Sequence, residues 1–132
     1  MTRSLLALSC LLLIALPTWA AEPTITFTEV PEAGQGSASQ GNIAGKVANL
    51  HRPEQYKIVL YAHADKWYVQ PEVDNPFTDI GPDGTWSNWT HLGYRYAALV
   101  VRPDFHPAPN LRTLPPIGLV IIAKKEVPAQ KR

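Results

Sequence analysis

Aromatic rings and side-chain amides are concentrated in one stretch, ADKWYVQPEVDNPFTDIGPDGTWSNWTH, which spans residues 64–91 and holds all but one of the chain's tryptophans. A planar ring binds a sugar by stacking on the C–H face of a pyranose, and neighbouring amides orient the sugar through hydrogen bonds. The stretch therefore predicts a carbohydrate site. Its candidate contacts are the stacking rings Trp67, Trp86 and Trp89 and the orienting amides Gln70 and Asn88.

The same rings could instead pack the interior of a small β-domain, and strand alternation limits how many can do so. Successive side chains of a strand point to opposite faces of its sheet. Within KWYVQ, Trp67 and Val69 share one face and Tyr68 has the other. Trp86 and Trp89 differ by an odd number of positions, so an unbulged strand places them on opposite faces. We therefore expect at least one of these tryptophans to face solvent.

Histidine and carboxylate side chains in and beside this stretch are weak candidates for a metal site. Imidazole and carboxylate groups suit zinc or copper, and His63, Asp65 and His91 offer both. No closely spaced pair of histidines accompanies them and no cysteine lies near them, so a metal site would depend on the fold alone. We expect ordinary hydrogen bonding rather than metal ligation, and no cofactor.

Catalytic motifs are missing from the sequence. Acid–base catalysis needs two positioned carboxylates or a base beside a nucleophile. Most aspartates here stand beside proline, glycine or asparagine, where aspartate is favoured as a turn former, and Asp83 in GPDG is explained in this way. The chain has no G-x-S-x-G elbow, phosphate-binding loop or H-E-x-x-H pair. We therefore expect a non-enzymatic protein.

The N-terminal segment MTRSLLALSCLLLIALPTWA has the parts of a secretory signal peptide. A positive residue, Arg3, precedes an apolar run, and a small-residue exit ends at Ala20. The segment is too short and wrongly flanked for a membrane anchor. We predict a signal peptide over residues 1–20, a secreted or periplasmic protein, and no membrane span after cleavage. The only cysteine, Cys10, would leave with the signal peptide, so no disulfide is expected.

Net charge argues against nucleic-acid binding. The chain has 12 basic and 11 acidic residues, so loss of Arg3 with the signal peptide leaves the two in balance. Nucleic-acid binding depends on a positive surface that neutralises phosphates. We therefore expect no nucleic-acid partner.

Short apolar segments between turn residues indicate an all-β domain. The 13 prolines disfavour helix interiors and central strands, and GPDG is a strong turn signal. In YKIVLYAHA, Ile58, Leu60 and Ala62 share one face of a strand. YRYAALVVRP has nearly continuous apolar character, which is typical of a buried strand. We predict an antiparallel β-sandwich of about seven strands, transthyretin-like or immunoglobulin-like. It would form a single domain over residues 21–123 that ends in the strand IGLVIIAKK, with a flexible basic tail over residues 124–132.

Three motifs follow one another in the order found in a known group of sandwiches. They are a G-x-[IV]-x-G-x-V strand, a D-G turn, and a later strand with glycine, tyrosine and an apolar run. The matching residues are Gly41, Ile43, Gly45 and Val47; Asp83 and Gly84; and Gly93, Tyr96 and the run to Val101. Over residues 41–123 the chain thus resembles the carboxypeptidase-regulatory-like or transthyretin-like (prealbumin-like) module of secreted bacterial proteins. The resemblance implies an accessory or structural module. The enzymatic branch ends in Tyr-Arg-Gly-Ser, whereas this chain ends in PAQKR.

These observations predict an exported, non-enzymatic binding or accessory module with a glycan or an envelope protein as its partner. The tryptophan-rich stretch favours a carbohydrate ligand. The alternative is a structural or protein-interaction domain of the cell envelope, because an exposed sheet edge can add a partner's strand and GLVIIA is apolar enough to form such an edge or interface. The sequence leaves the oligomeric state open.

Overall fold

The computed structural model describes residues 22–131, and the predicted signal peptide lies outside the described residues. The described chain forms two antiparallel sheets with no α-helix, which confirms the predicted β-sandwich. The strands are β1 (Thr24–Glu29), β2 (Gln40–Ala48), β3 (Lys57–His63), β4 (Trp67–Gln70), β5 (Phe77–Asp79), β6 (Thr85–His91), β7 (Arg95–Val101), β8 (Asn110–Leu111) and β9 (Ile121–Pro128). A short 3-10 turn covers Pro53–Gln55. No helix in the described part of the chain could cross a membrane.

The small sheet has the strand order β1-β2-β6. Alternation gives it one apolar and one polar face, because Ile25, Ile43 and Val47 are buried while Thr26 and Lys46 are exposed. The buried side chains belong to the core that the small sheet shares with the large sheet. This core lies between the two layers, as in other sandwiches.

The large sheet has the order β8-β4-β3-β7-β9, and β5 pairs with β3 beside β4. One face packs on the small sheet. The segment between β7 and β9 covers part of the other face, where Phe105, Leu111 and Leu114 pack in one cluster with Tyr61 and Leu99. Burial on both faces explains why β3 and β7 are apolar at almost every position.

Gly45 has a packing role in the first of the three sequence motifs. It lies opposite Trp86 in the β2–β6 pair, and a Cβ at Gly45 would lie 2.3 Å from Cζ2 of Trp86 and 2.5 Å from the carbonyl oxygen of Thr26. Trp86 also contacts Phe27 edge to face, with 5.5 Å between the ring centroids. Glycine at this position leaves room for the indole, so the motif is explained by packing.

Gly93 and Tyr96 link the start of β7 to the segment that follows β1 through hydrogen bonds. The Tyr96 hydroxyl accepts a hydrogen bond from the Gly93 N–H (3.0 Å) and donates one to the carbonyl oxygen of Glu32 (3.0 Å). Burial raises the pKa of Tyr96 above its ordinary value. A Cβ at Gly93 would lie 2.7 Å from the carbonyl oxygen of His63. The third motif is therefore structural, in the manner of the tyrosine corners of other sandwiches.

The C-terminal boundaries differ from those predicted. β9 covers Ile121–Pro128, whereas the sequence predicts a strand from residue 117 and a flexible tail from residue 124. Residues 117–120 form bends, while β9 pairs with β7 as far as Pro128. The Gln130 N–H donates to the carbonyl oxygen of Pro31 at 3.0 Å. Residues 124–130 therefore belong to the domain, because they supply backbone partners that β7 would otherwise lack.

Candidate functional site

The three predicted stacking tryptophans lie in three different environments. Trp67 is 6% exposed and Trp86 is 3% exposed, each in a different hydrophobic core. Trp89 is half-buried on the outer face of the small sheet, where it contacts His91 edge to face with 5.1 Å between ring centroids. Trp86 and Trp89 thus lie on opposite faces of the small sheet, as strand alternation predicts. The structure does not bring the three rings together in an exposed strip, and this corrects the prediction of a tryptophan stacking surface.

Gln70 caps the edge of β6 from the neighbouring sheet. Its Oε1 accepts a hydrogen bond from the backbone N–H of His91 at 2.8 Å and lies 3.0 Å from Nδ1 of the same residue. Its Nε2 donates to the carbonyl oxygen of Tyr68 at 3.3 Å. Gln70 is buried. Its Oε1 joins β4 to β6, so this oxygen is not free to orient a ligand.

Asn88, which precedes His91 in β6, has a similar role. Its Oδ1 accepts a hydrogen bond from the backbone N–H of Trp89 at 2.8 Å, and its Nδ2 donates to Oγ1 of Thr78 at 2.8 Å. The second bond joins β6 of the small sheet to β5 of the large sheet. The amide predicted to orient a sugar is therefore a structural link between the layers.

Together these contacts occupy part of the outer edge of β6. An edge strand exposes backbone groups that can pair with another chain. Here Asn88 and Gln70 take the N–H groups of Trp89 and His91, and the N–H of Gly81 donates to the carbonyl oxygen of Thr85 at 2.8 Å. Strand addition at β6 is consequently disfavoured.

The weak metal candidates do not assemble. Among residues 22–131 no group of three or more histidine, cysteine and carboxylate side chains could hold a metal ion. The Tyr68 hydroxyl donates to Asp65 Oδ1 at 2.8 Å, and this bond lowers the pKa of Asp65. His63 contacts Trp67 edge to face at 4.8 Å between centroids. Asp65 therefore supports the turn between β3 and β4, while His63 and His91 line one pocket.

An open groove runs along β6, and we call it the β5–β6 groove. Its volume is about 840 Å³. It is lined by Thr28, Ala44, Gly45, Lys46, Lys57, Asn75, Phe77, Thr78, Asp79, Thr85, Trp86, Ser87 and Asn88. Lys57 and Asp79 form an ion pair in it. The ring of Phe77 is half-buried, and the Trp86 indole N–H has no acceptor among the described residues.

Sequence reasoning missed most of this groove. Phe77 and Asp79 lie in PFTDI, which the sequence marks only as a strand before the GPDG turn, and Asn75 precedes it. The pairing of β5 with β3 and the proximity of β5 to β6 decide that these side chains share one surface with Ser87. The only signal in the sequence is the mixture of ring, amide and carboxylate side chains at close spacing. The sequence does not show which strand pairs with this segment, so it does not locate these side chains on the surface.

A second depression, the end pocket, lies between the end of β4, the end of β6 and the loop after β1. Its volume is about 450 Å³ and most of its lining is apolar. It is lined by Gly36, Ser37, Ala62, His63, Ala64, Tyr68, Val69, Gln70, Pro71, Glu72, Val73, His91 and Leu92. Gln70 is joined to Pro71 by a cis peptide bond. The pocket and the β5–β6 groove share no residue.

Comparison with known proteins returned no matching family model, no matching curated protein and no matching solved structure. The architecture itself is an antiparallel β-sandwich, as the resemblance to transthyretin-like modules implies at its coarser level. Two of the three motifs behind that resemblance have packing roles, at Gly45 and at Gly93 with Tyr96.

Proposed function

We propose that the protein is an exported, non-enzymatic binding module and that it binds carbohydrate in the β5–β6 groove. The observation that carries the proposal is the composition of that groove, which combines a partly exposed ring with many hydrogen-bonding side chains. A sugar needs both, because its C–H face stacks on a ring while its hydroxyl groups require polar partners. The site therefore differs from the tryptophan strip that the sequence predicts.

The groove offers each type of contact within one open surface. Phe77 supplies the ring, and exposed Asn75 and Ser87 supply an amide and a hydroxyl. The Asp79 carboxylate and the Lys57 ammonium group are paired with each other and remain partly exposed. Paired charges of this kind form hydrogen bonds to vicinal hydroxyl groups without adding net charge. A groove open along its length also suits a polymer better than a single sugar.

Glycan arrays and affinity electrophoresis in gels containing cell-wall or plant polysaccharides test the proposal. We expect retention by at least one polysaccharide, lost in a Ser87→Arg variant that fills the groove with a long side chain. Thr26→Arg is the matched control, because Thr26 is exposed on the same face of the small sheet and does not line the groove. Absence of retention on every polysaccharide would refute the proposal, and equal retention of both variants would place the site elsewhere.

We also propose that the narrower relationship is to the carboxypeptidase-regulatory-like or transthyretin-like modules. The packing roles of Gly45, Gly93 and Tyr96 support it, since these are positions at which the motifs match. A crystal structure that superimposes on such a module with the same strand order would test this relationship. A different strand order would contradict it.

A protein-interaction role is the second candidate, favoured by the loop before β9. Leu119 is 91% exposed and Ile117 is 59% exposed in this loop, and β9 lies at the end of the large sheet's strand order. Neighbouring exposed apolar side chains are typical of interaction surfaces. Light scattering over a range of protein concentrations should then show association that Leu119→Ser abolishes. A protein that stays monomeric and captures no envelope partner would contradict this role.

A further inference from the structure

The end pocket has the properties of a small-molecule site that is separate from the proposed carbohydrate groove. Its volume of about 450 Å³ falls in the range of about 300–1,000 Å³ that is usual for ligand pockets. Val69, Pro71, Val73 and Leu92 contribute apolar walls. Such walls suit a ring and disfavour a sugar, whose hydroxyl groups would lose water without gaining partners.

The hydrogen bonds of Gln70 determine the tautomer of His91, and this gives His91, which lines the pocket, a defined acceptor atom. The backbone N–H of His91 can only donate, so the Gln70 atom that it contacts at 2.8 Å must be the oxygen Oε1. The same oxygen lies 3.0 Å from Nδ1 of His91, so Nδ1 must carry the proton in this contact. In the neutral ring Nε2 is then an unprotonated acceptor. No donor to Nε2 is found within the described part of the chain.

The surroundings of His91 hold this acceptor in place. Its ring packs edge to face on Trp89 while Gln70 holds Nδ1. On another wall of the pocket the ring of His63 packs in the same way on Trp67. The imidazole rings of His63 and His91, each packed on a tryptophan, and the residue Tyr68 thus line a largely apolar space. A flat ligand can contact these side chains without rearrangement, which favours binding to a preformed site.

We propose that the end pocket binds a small aromatic molecule that carries one N–H or O–H donor. The ring lies among the apolar walls, and the donor bonds to Nε2 of His91. The proposal does not depend on the carbohydrate groove, because the two sites share no residue.

Indole and 1-methylindole are matched probes, because they share a ring system and only indole has an N–H donor. We expect indole to shift the amide resonances of Val69, Val73 and Leu92 saturably in a ¹⁵N-labelled sample. One lost hydrogen bond should make 1-methylindole bind about tenfold more weakly. Equal affinity of the two probes, shifts at other residues, or no saturation would overturn the proposal.

Three variants separate the hydrogen bond from the apolar contact. His91→Phe should remove the preference for indole while the ring still binds, and a retained preference would refute the role of Nε2. Val73→Asp should weaken both probes by about tenfold by placing a charge at an apolar wall. Ile117→Asp is its matched control, because Val73 and Ile117 are each 59% exposed and only Val73 lines the pocket. Equal effects of the two aspartates would also contradict the proposed site.

Discussion

Replacement of Gln70 by leucine tests whether this buried amide serves the fold rather than a ligand. Leucine retains most of the volume and removes every polar atom of the side chain. The variant loses the contacts of Oε1 with the His91 N–H and Nδ1, and the bond from Nε2 to the carbonyl oxygen of Tyr68. It also leaves the His91 N–H without its partner at a part-buried position.

The magnitude follows from these lost contacts. A hydrogen bond contributes about 0.5–1.5 kcal/mol, and an unpartnered buried donor costs about 1–3 kcal/mol. Since the bonds to Gln70 are of unequal length and the leucine gains some apolar contact, we expect the free energy of unfolding to fall by about 2–4 kcal/mol. That loss is a large part of the stability of about 5–15 kcal/mol that is typical of a domain.

Urea unfolding at neutral pH measures the loss, and hydrogen exchange of the His91 amide localises it. Gln55→Leu is the matched control, because Gln55 is exposed in the 3-10 turn and its side chain makes no hydrogen bond within the described residues. The control should change stability by less than about 0.5 kcal/mol. Equal stability of the two variants would refute the capping role. Unchanged stability with lost sugar binding would instead restore the ligand role that the sequence predicts.

Three further changes test other parts of the structure. Gly45→Ala should lower stability by about 2–3 kcal/mol in urea unfolding because its Cβ would collide with Trp86, whereas Gly118→Ala, with no atom within 4 Å of the new Cβ, should be nearly neutral; equal effects would contradict the packing role. Burial raises the pKa of Tyr61 to about 12, so the unfolded chain loses the hydroxyl proton at a lower pH than the folded protein does. The contribution of Tyr61 to the free energy of unfolding is complete below about pH 10 and should decline as pH rises towards 12. Tyr61→Phe should flatten that decline in urea midpoints measured across the range, and an unchanged slope would refute it. Deletion of residues 124–132 should abolish cooperative unfolding by circular dichroism because it removes most of β9, and retained cooperativity would support a dispensable tail.

Several features of the fold could be predicted because they depend on local chemistry. Alternation along KWYVQ separates buried Trp67 and Val69 from exposed Tyr68, as the structure has it. The GPDG turn is present, with Gly84 at a positive φ of 87°, a conformation that glycine adopts readily. Bonds from the hydroxyl and the N–H of Thr85 lower the pKa of Asp83, in agreement with its predicted role as a turn former.

The candidate site could not be located in this way. Strand alternation predicts that Trp86 and Trp89 have opposite faces, but it does not say which face is covered by a second sheet. Likewise, nothing local shows that the amides of Gln70 and Asn88 reach the edge of a strand in the other layer. These contacts join residues that are distant in the chain, and their geometry depends on how the sheets stack.

The sequence by itself determined the all-β class, the main turn and most of the strands, since these follow from side-chain period and from the backbone preferences of proline and glycine. Only the tertiary structure decided which side chains remain available for binding. The stacking of the two sheets buried Trp86, and the segment that covers part of the outer face of the large sheet buried Trp67. The predicted amides of Gln70 and Asn88 bind backbone N–H groups at the edge of β6. The same stacking left a polar groove at Phe77 and an apolar pocket at His91, because neither the opposite sheet nor a covering segment fills the space beside these side chains.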